Sequence, residues 1–132
     1  MKPALIDIPK IDDHRGNLSV VDLQTCLPFE LKRVFYIYDI PTGVERGGHA
    51  HFKLHQFIWC LSGSIRISLI DSDGLLANFD LSLPWRGLYL PPMTWASEKA
   101  LSAGVVYMVA ASDYYDPDDY IRDHALFDSL IR

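Results

Sequence analysis

Residues 43–63, GVERGGHAHFKLHQFIWCLSG, decide the fold of this 132-residue chain. His49 and His51 lie two positions apart in this stretch, and alternate residues of a β-strand point to the same face. Both imidazoles therefore project into one space, which we expect to be the interior of a β-barrel. Gln56 follows His51 by five positions, and Gly63 follows Gln56 by seven.

Strand signals dominate the sequence up to about residue 111. Short apolar and β-branched runs alternate with turn residues, which is typical of an all-β sandwich or barrel. The turn at residues 62–64 predicts a hairpin between the runs that flank it, and residues 71–74 predict another turn. The predicted strands are residues 18–23, 34–40, 57–61, 65–70, 75–83, 88–90 and 105–111.

The C-terminal tail has a different pattern. Pro117 lies between aspartates, and both carboxylates and proline favour the first turn of a helix. We expect a short C-terminal helix or irregular tail that starts at Asp116 and packs on the barrel through apolar side chains. These side chains are Tyr120, Leu126, Phe127, Leu130 and Ile131.

The composition indicates one globular domain over residues 1–132. Hydrophobic residues make up 49% and charged residues 22%, which excludes disordered and low-complexity classes. The formal net charge of −5 argues against nucleic acid or a membrane surface as a partner. No apolar run approaches the roughly 20 residues of a membrane span, and the N-terminus lacks a secretory apolar region. Cys26 and Cys60, without metal or redox spacing, predict reduced thiols in a cytoplasmic protein.

The order of glycine, His-x-His, a polar residue and glycine resembles the first motif of cupin barrels, where a glutamate normally stands in place of Gln56. The second cupin motif has a Pro-x-Gly turn and then a third histidine. Here Met93 falls at that glycine and Ala96 at that histidine. Two histidines and a neutral amide are a poor ligand set for a divalent transition metal. We therefore expect a site without metal, and a metal-dependent cupin dioxygenase is the disfavoured alternative.

Paired inward histidines that hold no metal are free to move protons, because imidazole titrates near neutrality. His49 and His51 are therefore the candidate catalytic residues. The resemblance extends beyond the cupin motif, because four runs match one group of sugar-nucleotide enzymes. The runs RGNL from residue 15, KRVFYIYD from 32, RGGHAH from 46 and ASDYYDPDDYIRD from 111 resemble the nucleotide-diphosphate-linked 4-keto-6-deoxyhexose 3,4-ketoisomerases, or WxcM-like cupins.

This resemblance implies a jelly-roll cupin with a specific activity. Family members act on dTDP-4-keto-6-deoxyglucose and move its ketone from C4 to C3 through an enediol, with neither a metal nor a redox cofactor. His49 and His51 match the catalytic histidines of the family. The resemblance also implies a homodimer in which a strand within residues 5–11 is exchanged. Packing of that segment on its own barrel is the alternative.

We expect the dTDP-sugar to be held by cations and aromatic rings. The planar fork of arginine suits phosphate oxygens, and aromatic faces stack on nucleobases. Gly47 and Gly48 allow the backbone to come close to a ligand. The candidate substrate-binding residues are Arg15, Arg33, Arg46 and Lys53 for the diphosphate, Tyr36, Tyr38 and Trp95 for thymine, and Gln56 for a sugar oxygen.

One departure from the family pattern leaves other functions open. Family members commonly carry His-Glu directly after the tryptophan, where this chain has Ala96 and Ser97. A non-catalytic cupin that binds a nucleotide sugar is therefore one alternative. A 3,5-epimerase-like enzyme, with a histidine base and a tyrosine acid, is another. The sequence does not fix whether a ketoisomerase makes the galacto or the gluco epimer.

Overall fold

The computed structural model describes residues 1–22 and 26–132. Almost all of its regular structure is β-strand, as the sequence predicts. A 3₁₀ turn spans Pro117–Asp119, and one α-helix, α1, spans His124–Leu130. The strands are β1 (Ala4–Asp7), β2 (Lys10–Ile11), β3 (Leu18–Ser19), β4 (Arg33–Ile37), β5 (Glu45–His51), β6 (Gln56–Ser62), β7 (Ile65–Ile70), β8 (Leu76–Leu81), β9 (Arg86–Leu90), β10 (Trp95–Ala100), β11 (Val106–Ala111) and β12 (Tyr120–Ile121).

These strands form two five-stranded antiparallel sheets. The strand order is β1-β9-β6-β11-β4 in the first sheet and β12-β5-β10-β7-β8 in the second, and β2 pairs with β3 in a small separate sheet. Consecutive strands often cross between the sheets, which is the connectivity of a jelly roll. The chain is therefore a cupin-type barrel, as the sequence predicts, and β5 with its two histidines lies inside the second sheet.

The main core lies between the two sheets. Along β7, Ile65 and Ile67 are fully buried while Arg66 between them is exposed, so the strand alternates between core and solvent. Strands β6, β9 and β11 supply the facing side chains from the other sheet. The buried side chains of this core include Ile58, Cys60, Ile65, Ile67, Leu69, Leu81, Leu88, Leu90, Ala96, Tyr107 and Val109.

The outer face of the second sheet is covered by α1. Phe127 of the helix is fully buried and packs with Ala50 and Ile121. Asp123 caps the helix by accepting a hydrogen bond from the backbone N–H of Ala125 at 3.0 Å. The predicted C-terminal helix is confirmed, but it begins later than expected. Asp116 caps the preceding 3₁₀ turn instead.

The hairpin predicted at residues 62–64 is wrong. Strand β6 pairs with β9 and β11, whereas β7 pairs with β8 and β10, so the turn carries the chain from one sheet to the other. The two strands place their apolar faces against each other across the core, and this burial decides the pairing more than the turn sequence does. The turn at residues 71–74 does join an antiparallel pair, β7 and β8.

Several other boundaries differ from the predicted strands. Of predicted strand 18–23, only Leu18–Ser19 is a strand, and Leu23 lies outside the described residues. Strand β10, with the sequence WASEKA, was not predicted because its polar residues hide the apolar alternation. Within the described ranges, no helix is both long enough and apolar enough to cross a membrane.

Candidate active site

The two histidines of β5 lie side by side on its inner face. His49 is opposite Ala96 of β10, and His51 is opposite Tyr120 of β12. The ring centroids of the two imidazoles are 5.1 Å apart and the rings meet edge to face. The His51 side chain is buried, with only 4% of the residue exposed. The spacing of the histidines thus brings both rings into one space, as the sequence predicts.

His51 is buried without a hydrogen bond to either ring nitrogen from the described part of the chain. The Asp119 carboxylate lies beside the ring, with Oδ2 3.5 Å from Nδ1 of His51. That carboxylate is itself held in place, because it accepts hydrogen bonds from the backbone N–H groups of Lys53 at 2.9 Å and Leu54 at 3.2 Å. A fixed carboxylate beside Nδ1 favours the tautomer that carries its proton there and leaves Nε2 free as a base.

Burial lowers the pKa of both imidazoles. Desolvation lowers the pKa of His51 to about 3, and the charges of His49, Arg33 and Arg122 act in the same direction. Desolvation also lowers the pKa of His49, again with a contribution from Arg122. Both rings are therefore neutral at pH 7, and each presents a nitrogen lone pair that can accept a proton.

Tyr120 connects the histidine pair to the C-terminal tail. Its ring centroid is 4.3 Å from that of His51 and 5.0 Å from that of His49. The guanidinium of Arg122 lies over the same ring, with Cζ 4.2 Å from the centroid. The short strand β12 therefore places a phenol and a cation next to the imidazoles.

Two cavities open on either side of this group, and Tyr120 lines both. The larger, of about 360 Å³, contains His49, and the smaller, of about 120 Å³, contains His51. Most of the predicted site residues line one or the other. Those in the larger cavity are His49, Tyr36, Arg46 and Gln56, and those in the smaller are His51, Arg33 and Lys53.

Arg33 provides a cation next to His51. Its Nε atom is buried and makes no hydrogen bond to any described residue. The guanidinium is held between aromatic rings, with Cζ 5.2 Å from the Phe35 centroid and 5.8 Å from the Tyr115 centroid. A positioned guanidinium with an unused donor is suited to an anionic ligand.

The structure does not bring three predicted residues to these cavities. Arg15 lies in the loop after β2, where its side chain is 79% exposed and forms a bidentate ion pair with Asp13 at 2.8 and 2.9 Å. Tyr38 is exposed just beyond β4, beside Tyr36. Trp95 lies on the outer face of β10, because its neighbour Ala96 faces the core, and it packs against α1 with its ring 5.7 Å from that of Phe127.

The structure also brings in residues that sequence reasoning missed. Asp119, Tyr120 and Arg122 belong to the run from residue 111 that carries the family resemblance. The sequence pattern indicates a helix start for its aspartates and packing on the barrel for Tyr120, so it does not point to the site. Glu98 of β10 lines the larger cavity together with His49. The sequence signal that could have identified Glu98 is its position two residues after Ala96, because alternate residues of a strand share one face.

The cupin correspondence holds in detail, and it leaves a poor metal site. Met93, at the position of the motif glycine, has a φ of 61°, and its N–H donates to the carbonyl oxygen of His51 at 2.8 Å. Ala96, at the position of the third histidine, pairs with His49. Residues 1–22 and 26–132 contain no group of three or more His, Cys, Asp or Glu side chains that could hold a metal ion. With Ala96 in place of the third histidine and Gln56 in place of the glutamate, the donor set around His49 and His51 is a poor one for a divalent transition metal.

The fold and the site together define a cupin-type barrel that places two neutral histidines in cavities lined by both cationic and acidic side chains. The chain belongs to the family described as WxcM-like, C-terminal (FdtA), whose model matches residues 1–132. It is 40% identical over 131 residues to the TDP-4-oxo-6-deoxy-alpha-D-glucose-3,4-oxoisomerase of Aneurinibacillus thermoaerophilus, covering 99% of this chain and 94% of that protein.

Solved structures give the same result. The sugar 3,4-ketoisomerase QdtA from Thermoanaerobacterium thermosaccharolyticum, in complex with TDP, superposes with a TM-score of 0.93 at 37% identity, covering 98% of this chain and 93% of that one. A mutant of the same enzyme in complex with TDP-4-keto-6-deoxyglucose also superposes with a TM-score of 0.93, at 36% identity and the same coverage.

Proposed function

We propose that the chain is a sugar-nucleotide 3,4-ketoisomerase that converts dTDP-4-keto-6-deoxyglucose into a dTDP-3-keto-6-deoxyhexose for deoxysugar biosynthesis. The observation that carries this proposal is the pair of neutral histidines, with unpartnered ring nitrogens on His51, in two cavities that each contain an arginine. The relative that is 40% identical to this chain is named as a 3,4-oxoisomerase of TDP-4-oxo-6-deoxy-glucose. A related ketoisomerase is described with TDP and with the 4-keto sugar bound.

The chemistry is proton transfer on one sugar ring. A base removes the proton from C3, the electron pair forms a C3–C4 double bond, and the former ketone oxygen O4 takes a proton to give an enediol. Loss of the O3 proton and protonation of C4 then complete the 3-ketone. His49 and His51 are proposed as the bases at carbon, because a neutral imidazole can accept the C3 proton and return a proton to C4.

The remaining cavity residues are proposed to hold the substrate. Arg33 and Lys53 are proposed to bind the diphosphate, since they line the smaller cavity beside His51. Arg46, Tyr36 and Gln56 line the larger cavity with His49, so we propose that they contact the sugar and nucleoside. Arg33 and Lys53 share the smaller cavity with Asp113, Asp116 and Asp119, so the diphosphate is proposed to contact the two cations directly.

We also propose a homodimer, which light scattering on the purified protein would test. The proposal rests on the apolar side chains that the N-terminal region leaves exposed, including Leu5, Ile11 and Leu18. In the single chain, β1 pairs with β9 of the same barrel. In a strand-exchanged dimer, β1 of one copy would pair with β9 of the other copy. A cytoplasmic location stays a prediction that rests on the cysteine pattern.

The test of the proposed function is a proton NMR time course with dTDP-4-keto-6-deoxyglucose in deuterated buffer. We expect a 3-keto product with deuterium at C4. The same reaction in ordinary water leaves a proton at C4, and its coupling to H5 would identify the galacto or gluco epimer. Bound but unchanged substrate would contradict the isomerase and favour the non-catalytic binding protein. The matched control is the same reaction without protein, because 4-keto sugars exchange slowly by themselves.

One observation favours a second candidate, a 3,5-epimerase-like enzyme. Such an enzyme pairs a histidine base with a tyrosine acid, and the Tyr120 ring lies against both imidazoles. The same NMR experiment separates the two functions. Deuterium at C5 with the ketone still at C4 indicates the epimerase, whereas deuterium at C4 with a ketone at C3 indicates the ketoisomerase.

A further inference from the structure

Glu98 is a buried carboxyl group in the wall of the larger cavity. It follows Ala96 by two positions on β10, so its side chain leaves the same inner face about 7 Å further along the strand. It lines the cavity together with His49 and Arg46. Its Oε2 atom is shielded from solvent and makes no hydrogen bond within the described ranges of the chain. A buried polar atom of this kind costs stability and calls for a functional explanation.

The backbone of β5 is shaped around this carboxyl group. Gly47 has a φ of +85°, and a Cβ placed there would collide with Oε2 of Glu98 and come within 3.1 Å of the carbonyl oxygen of Ala96. A bulge between Ala96 and Ser97 adjusts the register of β10 at the same point. The close approach expected of this glycine is therefore made to Glu98, and it keeps the carboxyl group inside the barrel.

The surroundings of Glu98 favour its neutral form. Desolvation raises the pKa of Glu98 to about 7, Arg46 opposes this shift, and Glu45 adds to it. The other titratable groups that line the same cavity are His49, Tyr36, Tyr107, Tyr120 and Arg122. The pKa of Tyr107 is itself raised by burial and by Glu98. Oε2 of Glu98 is hydrogen-bonded neither to Arg46 nor to any other group in the part of the chain that the structure describes. A large share of Glu98 is therefore protonated at neutral pH.

The proposed reaction needs a proton donor at O4. Both imidazoles are neutral at pH 7, and the single N–H of a neutral imidazole is a far weaker acid than a carboxyl group. We propose that Glu98 is a further catalytic residue, whose carboxyl group hydrogen-bonds the vicinal oxygens O3 and O4 of the sugar and moves a proton between them. This inference rests on the proposed ketoisomerase function.

The proton balance of this step is closed. As a histidine takes the C3 proton and the C3–C4 double bond forms, Glu98 gives its proton to O4 and becomes a carboxylate. When the ketone forms at C3, the O3–H proton passes to Glu98 and restores the carboxylic acid. C4 meanwhile receives a proton from a histidine. No oxidant, metal or external acid is required, and enzyme and substrate leave the cycle in their starting protonation states.

The test compares Glu98→Gln with Glu30→Gln, a matched carboxyl-to-amide change at an exposed position before β4. An amide can donate a hydrogen bond but cannot give up a proton, so we expect kcat of Glu98→Gln to fall about 10²- to 10⁴-fold with KM and TDP affinity little changed. In the wild type, kcat should fall as pH rises through about 7, because the carboxyl group loses its proton. This fall of kcat above about pH 7, the alkaline limb of the profile, should be absent from the residual activity of Glu98→Gln. It should persist in Glu30→Gln.

The possible outcomes separate this inference from the proposed function. A wild-type protein that does not turn over the 4-keto sugar overturns both. An active wild type with Glu98→Gln within threefold of it, and with the alkaline limb intact, overturns only the role of Glu98. A loss of TDP affinity and thermal stability in Glu98→Gln that matches the loss of kcat would show a structural role and overturn it as well. Removal of the limb by Tyr120→Phe instead would assign the acid to the phenol.

Discussion

His51 and His55 lie four positions apart, and the protein treats them in opposite ways. His55 shares a hydrogen bond of 2.7 Å between its Nδ1 and the hydroxyl of Tyr89. Its ring also stacks on Phe29 and Tyr89, at centroid distances of 5.8 and 5.9 Å. The His51 ring is more buried, yet neither of its nitrogens makes a hydrogen bond in the described structure. The His55 imidazole therefore stabilises the barrel through its hydrogen bond, whereas the ring nitrogens of His51 stay available to a ligand.

Hydrogen bonding, and not a shifted pKa, distinguishes His51 from the structural histidine His55. Burial lowers the pKa of His49, His51 and His55 alike, so a shifted titration does not distinguish them. Hydrogen bonding does, because an unpartnered buried nitrogen is tolerated only where something compensates for it. A polar substrate that fills the cavities would provide that compensation at His51.

The largest expected effect comes from removing the imidazoles on β5. His51→Asn and His49→Asn should each lower kcat by about 10²- to 10⁴-fold, because each change removes a proton-transferring group. The fold and the affinity for TDP should survive, since the ring nitrogens of His51 hold no other part of the protein in place. The measurement is steady-state turnover of dTDP-4-keto-6-deoxyglucose, with TDP binding by calorimetry.

The control for this prediction is His55→Asn, the same change at the histidine that is already hydrogen-bonded. We expect its kcat to stay within a fewfold of the wild-type value. Full activity in both His49→Asn and His51→Asn would remove the basis of the catalytic assignment. A large loss of kcat in His55→Asn alone would show that His55, and not His51, takes part in catalysis.

A second prediction concerns the cation beside His51. Arg33→Gln should weaken TDP binding by about 10- to 100-fold, because hydrogen bonds to a charged group contribute about 1.5–3 kcal/mol each. Arg66→Gln is the matched control, since Arg66 is exposed and forms a surface ion pair with Asp80. Calorimetric titration with TDP measures both variants. Equal affinities for the two would place the diphosphate elsewhere.

The acid side of the pH profile provides a third test. Activity that needs neutral histidines is lost as pH falls through the pKa of the group involved, and burial has lowered that pKa below 6.5 for both His49 and His51. An unshifted histidine would cost about fourfold in kcat/KM at pH 6. We therefore expect a smaller loss, measured between pH 5 and 8 in a buffer of constant ionic strength. An acid limb centred at 6.5 or above would show that the histidines are more hydrated than the structure has them.

How far the sequence predicts this molecule depends on whether a signal is local. The His-x-His spacing is local, so it places both rings on one face correctly, and the apolar runs locate most core strands. Pairing between sheets is not local, which is why the turn at residues 62–64 misleads. The position of Trp95 is not local either: the inward direction of Ala96 is set by the barrel, and the helix that covers Trp95 is visible only in three dimensions.

The smallest effect on catalysis is expected at His55, where the change should appear in stability instead. His55→Phe keeps a ring against Phe29 but removes one of the two partners of the Tyr89 hydroxyl, whose other contact is with Sδ of Met1 at 3.4 Å. The loss should be about 0.5 to 1.5 kcal/mol of unfolding free energy, read by urea denaturation. The double variant with Tyr89→Phe should lose less than the sum of the two single changes, because both remove the same hydrogen bond. Additive changes would mean that the 2.7 Å contact contributes little, and the stability of this region would then come from ring stacking alone.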